Sequence, residues 1–331
     1  MRYAAIGIFC RAALNRNTTI AAATSLRGSE RVPDRSWQFG IFAPAGFATE
    51  PAAVDRAVAR LVALGHRVHV DPTARSREQR FSASDDERLA AIARMVSAPD
   101  IDIAVAVRGG YGWTRLLDRI DYASMARKPT RWLGHSDFTA FQLAALARSG
   151  MITFAGPMAA YDFGAAQPSA FTFEQCFGVL DNTTWEIECA LEGPSQVVAN
   201  GVLWGGNLSL VAHLAGTPYL PDVEGGVLFL EDVAEHPYRI ERLLYQLLHA
   251  GVLERQRAVL LGAFTEYELN ANDEGYDLAA AIAHLRTRAQ VPIYTGLPFG
   301  HVRDKLTLPV GGRCMLETRD GMARLTLSHY A

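Results

Sequence analysis

In Gly134-His135-Ser136-Asp137-Phe138 a serine stands where a β-rich run gives way to a helical pattern. At such a junction a serine Oγ can project from the top of a sheet, with the following N–H groups near a developing oxyanion. The motif departs from G-x-S-x-G at its last place, held by Phe138, and a serine before a helix is also a good N-cap, so spacing alone leaves both uses open. A serine nucleophile needs a base, and a histidine base needs an acceptor that fixes its tautomer. Of the nine histidines, His301 closes the segment Gly296-Leu297-Pro298-Phe299-Gly300-His301. Glycine and proline there predict a turn with an accessible imidazole, either a catalytic base or an exposed loop residue. His135 is expected to point away from Ser136 by strand alternation. The remaining histidines fall in strands, helices or the tail, where packing or solvation accounts for them.

For the acid, Leu228-Phe229-Leu230-Glu231-Asp232 puts two carboxylates at the end of a buried strand, where open α/β sheets present functional groups. Glu231 is the expected acid. The other reading makes Glu231, Asp232 and Glu235 charges that favour the positive end of the helix beginning near Tyr238. Together with His236 they could also form a metal cluster, but no H-E-x-x-H or comparable spacing supports one, and no metal is expected. Arg108-Gly109-Gly110-Tyr111-Gly112 could cradle a phosphate, yet Arg115 stands where a dinucleotide fingerprint needs its third glycine, and the loop follows the third strand, not the first. The same N–H groups could form half of an oxyanion hole, or the loop could be a plain tight turn.

These residues must be carried by an α/β fold. Short β-rich runs at 38–43, 66–70, 101–107 and 132–134 alternate with helical patterns, which predicts a parallel sheet. The first helix opens at Glu50-Pro51, runs Val54, Val58, Leu61 and Val62 along one face and stops at Gly65. Ser84 and Glu87 read as a capping box for the next helix. A helix is expected near 113–117 and another over 137–149, ending at Gly150. Residues 160–200 show little helical periodicity. Beyond them come strands at 227–230 and 258–261, helices at 238–250 and 278–288, and β-strands over 305–327 joined at Gly311-Gly312 and Asp320-Gly321. The expected organisation is an N-terminal extension (1–36), a parallel-sheet α/β domain with the nucleophile (37–165), a connection (166–200) and a smaller β-containing α/β domain with the glutamate and histidine (201–331).

Composition narrows the class further. The 331 residues carry 32 basic and 35 acidic side chains, a net charge of -3, with 49% hydrophobic and 20% charged residues. That is an ordinary globular balance, against a nucleic-acid partner. No apolar run reaches the roughly 18 residues of a spanning helix, so no membrane partner is expected. Cys10, Cys176, Cys189 and Cys314 are scattered without a C-x-x-C pair, which fits a reducing, cytoplasmic setting. Arg2, Arg11, Arg16 and Arg27 precede the first acid, Glu30, and set the extension apart.

Ala43-Pro44-Ala45, Arg108-Gly109-Gly110-Tyr111-Gly112, Gly134-His135-Ser136-Asp137, Gly205-Gly206-Asn207-Leu208, Leu230-Glu231-Asp232, Tyr238-Arg239-Ile240 and Phe299-Gly300-His301 occur in that order. Together they resemble the LD-carboxypeptidase family of serine peptidases, which includes the muramoyl-tetrapeptide carboxypeptidases of peptidoglycan recycling. The resemblance implies a triad of Ser136, Glu231 and His301 at a domain interface. It implies an oxyanion hole from the N–H groups of Gly110 and Asp137, no cofactor, and a homodimer. The implied substrate is a muropeptide that loses its terminal D-alanine. The free carboxylate of that substrate needs a cationic or N–H partner, for which Arg108 and Arg239 are candidates. The alternatives are a related peptidase that cleaves peptide–nucleotide antibiotics and a non-catalytic α/β module binding a nucleotide at 109–112.

Overall fold

Four short buried runs and one half-exposed edge strand build the parallel part of the first sheet. The computed structural model describes residues 35–330; residues 1–34, with Cys10 and the early arginines of the expected extension, lie outside the described residues. The strands are β1 (Gln38–Phe42), β2 (Arg67–Val70), β3 (Ile103–Ala106), β4 (Arg131–Gly134) and β5 (Thr153–Ala155), parallel in the order β5-β4-β3-β1-β2. β3 reads as an unbroken apolar run because every one of its residues is buried. Helices α1 (Pro51–Ala63), α2 (Asp85–Ser97), α3 (Tyr122–Ala126) and α4 (Phe138–Ser149) connect the strands.

Local details depart from expectation for identifiable reasons. On α1 the expected Val54 and Leu61 are buried together with Ala53 and Ala57, and Val58 packs partly buried against the core; Val62 alone of the expected face is turned out, at 55% exposed. Ser84 accepts the Glu87 N–H at 3.3 Å, but the Glu87 carboxylate pairs with Arg94 instead of closing the capping box. The helix expected near 113–117 is two 3₁₀ turns, Trp113–Arg115 and Leu117–Arg119. α4 ends as expected, on Gly150 at φ +67°.

Residues 166–200, expected to connect two domains, carry α5 (Ala170–Asp181) and β6 (Thr184–Ala190). Ser169 caps α5 by accepting the Thr172 N–H at 3.0 Å. There follow β7 (Val198–Asn207), α6 (Leu208–Leu214), β8 (Val227–Val233), α7 (Pro237–His249), β9 (Ala258–Thr265), α8 (Leu278–Arg288), β10 (Ile293–Thr295), β11 (Leu308–Val310), β12 (Arg313–Arg319) and β13 (Met322–Ser328). The second sheet has the order β10-β9-β8-β7-β12-β13-β6, parallel from β7 to β10 and antiparallel beyond. The β12–β13 hairpin turns on Asp320 and Gly321, both at positive φ, as its right-handed twist requires. β11 does not join this sheet. It pairs antiparallel with β5, Leu308 opposite Ala155 and Val310 opposite Thr153, so a strand from the second half completes the first sheet.

Candidate active site

The chain leaves β4 through a forced turn. Ser136 has φ +65°, a left-handed conformation that costs a non-glycine residue about 1–3 kcal/mol. The following N–H groups at once enter α4, Thr139 N–H donating to the Ser136 carbonyl at 2.9 Å. Ser136 is therefore not the helix cap: Asp137 holds that place, and no side chain caps α4. Close approach of the glycine loop depends on Gly109. A Cβ there would lie 2.6 Å from Ser136 Cβ and 2.8 Å from its Oγ.

From the second half, His301 Nε2 lies 2.9 Å from Ser136 Oγ and His301 Nδ1 lies 2.7 Å from Glu231 Oε2. A carboxylate only accepts, so Nδ1 carries the proton and Nε2 offers its lone pair to the serine O–H. Glu231 is fully buried, and the His301 side chain is 20% exposed, open on the serine side. Register delivers the glutamate: Glu231 of β8 stands opposite Asn207 of β7, and the β8–β9 pairing shifts between Leu230 and Asp232. Asn207 Nδ2 donates to Glu231 Oε1 at 3.3 Å and to Asp232 Oδ1 at 2.8 Å. Asp232 also accepts from the Ser209 N–H and O–H, so it is a structural acceptor. Gly300, at φ +136°, brings the His301 loop against Glu231, where a Cβ would meet Oε2 at 3.2 Å.

The His301 loop is anchored on α5. Asp304 accepts from Ser169 Oγ, the Arg303 carbonyl accepts from Thr172 Oγ1 at 2.9 Å, and the Lys305 N–H donates to Thr172 Oγ1 at 2.9 Å. Lys305 Nζ forms a buried ion pair with Asp162. Sequence reasoning placed Asn207 in the 205–208 segment but gave it no role, and missed this ion pair. Asn207 reads as a local cap, which it also is, accepting the Leu210 N–H at 3.2 Å. Its cross-strand role exists only once β7 and β8 are in register.

His135 corrects a simple alternation argument. Because the backbone turns at Ser136, the His135 ring lies 5.2 Å from that of His301 rather than on the far side. Its Nδ1–H donates to the Gly156 carbonyl at 2.8 Å. Burial, with Lys305 and His301 nearby, holds its pKa well below the ordinary value, so it stays neutral beside the candidate base. The Asp137 carboxyl is buried as well and is pushed up to about 6 by desolvation, although it accepts the Trp113 N–H at 3.1 Å.

A cavity of about 570 Å³ opens onto Ser136 and His301, with Arg108, Gly110, Tyr161 and Lys305 among its walls. Arg108 is half-buried, its guanidinium 5.5 Å from the Tyr161 ring centre, and among the described residues its side chain makes one hydrogen bond, a 3.4 Å contact with the Phe47 carbonyl. Arg239, the other cation expected near the substrate, does not line this cavity; near the start of α7 it pairs with Glu235 one turn away. His236 bonds Asp273 at 3.1 Å while Glu231 faces His301, so these residues and Glu235 do not converge, and among the described residues no three His, Cys, Asp or Glu side chains gather as metal ligands. The 109–112 loop leads into a three-residue 3₁₀ turn rather than a helix, so it lacks the helix N-terminus that a phosphate cradle uses.

Family models separate along the same two halves. The LD-carboxypeptidase N-terminal domain matches residues 39–156 and the C-terminal domain matches 200–316. The chain belongs to the LD-carboxypeptidase family. It is an enzyme, a serine-type LD-carboxypeptidase and hence a hydrolase. This carboxypeptidase is 41% identical to the muramoyltetrapeptide carboxypeptidase from Oxalobacter formigenes, whose crystal structure aligns with TM-score 0.84 over 88% of this chain and 99% of that one. It is 29% identical to the murein tetrapeptide carboxypeptidase of Pseudomonas aeruginosa, over 86% of this chain and 96% of the relative. The microcin C7 self immunity protein MccF shares the fold, with TM-score 0.82 at 22% identity over 90% of this chain and 98% of MccF. Among the described residues no helix is long and apolar enough to cross a membrane.

Proposed function

We propose that this carboxypeptidase removes the terminal D-alanine from the tetrapeptide stem of muropeptides, serving peptidoglycan recycling. The observation that carries this reading is the hydrogen-bonded line Glu231–His301–Ser136, which ends at the cavity. Ser136 Oγ attacks the carbonyl of the L,D-peptide bond while His301 Nε2 takes its proton. Glu231 holds the tautomer and stabilises the imidazolium. His301 then protonates the departing D-alanine amine, and a water activated by the same nitrogen releases the acyl group.

The N–H groups of Gly110 and Asp137 have no protein partner among the described residues and receive the oxyanion, each contributing about 3 kcal/mol. Arg108, with no carboxylate partner among the described residues, receives the free carboxylate that defines a carboxypeptidase substrate. The names of the Oxalobacter and Pseudomonas relatives support this substrate class. The buried free thiols of Cys176, Cys189 and Cys314 suit a cytoplasmic enzyme. A homodimer is proposed with it, checked by light scattering of the purified protein.

The deciding experiment measures D-alanine release from purified muropeptide tetrapeptide by wild type, by Ser136→Ala and by wild type with a chelator. Release that vanishes in the variant and ignores the chelator is expected. Equal release by both proteins would overturn the role of Ser136. No release by wild type, with cleavage of a peptidyl-sulfamoyl nucleoside instead, would overturn the substrate.

A further inference from the structure

The Asp137 carboxylate does something that its place in the chain does not call for. An aspartate at a helix N-cap normally accepts an N–H of the first helical turn. Asp137 occupies that position and caps nothing. Its side chain crosses instead to the glycine loop, where Oδ2 accepts the Trp113 N–H at 3.1 Å, with the Gly112 backbone beside it helping to hold the pKa down. The loop is held from its other side by Arg88, fully buried, which donates through Nη1 to the carbonyls of Gly112 at 3.1 Å and Pro44 at 2.7 Å. The Gly109 carbonyl is fixed in turn by the Gly46 N–H at 3.0 Å. The loop segment so clamped carries Gly109, whose Cα hangs over Ser136 Oγ and the Asp137 N–H, and Gly110, one of the two proposed oxyanion donors.

We propose that the Asp137 carboxylate is a positioning residue that locks the 109–113 loop onto the nucleophile turn, so that one residue supplies one oxyanion donor and sets the place of the other. The inference rests on the serine-triad reading above. Oxyanion catalysis depends on donors held within a few tenths of an ångström of the charge that develops, and slack in the loop costs transition-state binding while leaving ground-state binding alone. The cost of the arrangement supports a functional reason for it. The groups facing the carboxylate are the Trp113 and Gly112 N–H groups and the Arg88 guanidinium, itself bonded to Asp85, and they do not offset burial, since the carboxyl titrates near 6. A residue selected for stability alone would be neutral here.

The test uses the full chain and compares Asp137→Asn and Asp137→Ala with wild type. The readouts are kcat, KM, the inhibition constant of a boronic-acid analogue of the tetrapeptide, and Tm at pH 7.5. Asn keeps one acceptor for the Trp113 N–H and loses the other, and Ala loses both. The expected result is a kcat about tenfold lower for Asn and about 100- to 1000-fold lower for Ala. KM should stay within threefold, the boronate should weaken in parallel with kcat, and the Tm of the Asn variant should equal or exceed that of wild type. A kcat within threefold of wild type in both variants overturns the proposal, as does a loss carried by KM or one that tracks the folded fraction. If the Ala variant does not fold, the Asn variant decides. Ser136→Ala separates the two readings: an active Ser136→Ala removes the triad and this proposal together, whereas an inactive Ser136→Ala beside unchanged Asp137 variants removes this proposal only.

Discussion

The two halves present their functional groups by different physical means. In the first, the backbone does the work: Ser136 at φ +65°, Gly110 at φ +93° and a Gly109 that admits no Cβ bring a nucleophile and free N–H groups together. In the second, pairing does it: Glu231 is set by a strand register and a bulge, backed by Asn207 on the neighbouring strand, and His301 by a loop tied to α5. The difference teaches that the nucleophile side tolerates little change in main-chain shape, whereas the acid–base side tolerates little change in charge.

That contrast can be broken or sharpened by substitution. Glu231→Gln keeps shape but lets the side chain donate to Nδ1, which favours the wrong histidine tautomer; kcat for D-alanine release should fall about 10⁴-fold, about 5 kcal/mol of barrier, with Tm unchanged. A loss under tenfold would break the charge half of the contrast. Lys305→Met strands a buried Asp162 and should destabilise by about 3–5 kcal/mol in urea unfolding, the signature of a charge left unpaired. Gly109→Ala pushes a methyl against Ser136 Cβ and Oγ; kcat should drop about 100- to 1000-fold, about 3–4 kcal/mol, with a smaller loss of about 1–3 kcal/mol in urea unfolding from the displaced turn.

The smallest effect is a pH dependence. The Asp137 carboxyl titrates near 6 in the fold against an ordinary 3.8, so between those values the native state holds the extra proton. Its contribution to stability therefore falls as pH rises from about 4 to about 6, by about 2–3 kcal/mol. Asp137→Asn should lack that slope, visible as a difference in unfolding free energy between variant and wild type across the window.

What was legible in the sequence follows the same division. Residue types and turn signals marked Ser136, the 108–112 loop, Glu231 at a strand end and His301 near a Gly-Pro turn as candidates with structural alternatives left open, and the family resemblance joined them into a triad. The parallel sheet was legible too, since strands buried on both faces read as apolar runs. Asn207 behind Glu231, the Asp162–Lys305 pair and the crossing of Asp137 to Trp113 were not, because each joins positions far apart in the chain through register or packing. α5 was hidden by Pro168 and an aromatic-rich pattern with no clean apolar stripe. Arg239, also expected near the substrate, pairs with Glu235 four residues before it and does not line the cavity.

The return of β11 to the first sheet makes the two halves hard to part. His301 lies a short way upstream of a strand hydrogen-bonded to the nucleophile's own sheet, so hinging the halves apart would have to strip β11 from β5. Access to the cleft therefore belongs to its rim loops and not to gross separation. Cutting the chain in the 166–200 segment would leave a bare β5 edge, open to self-association, on the fragment that carries Ser136. The two pieces would behave as a split enzyme, silent until the second supplies both its strand and its histidine.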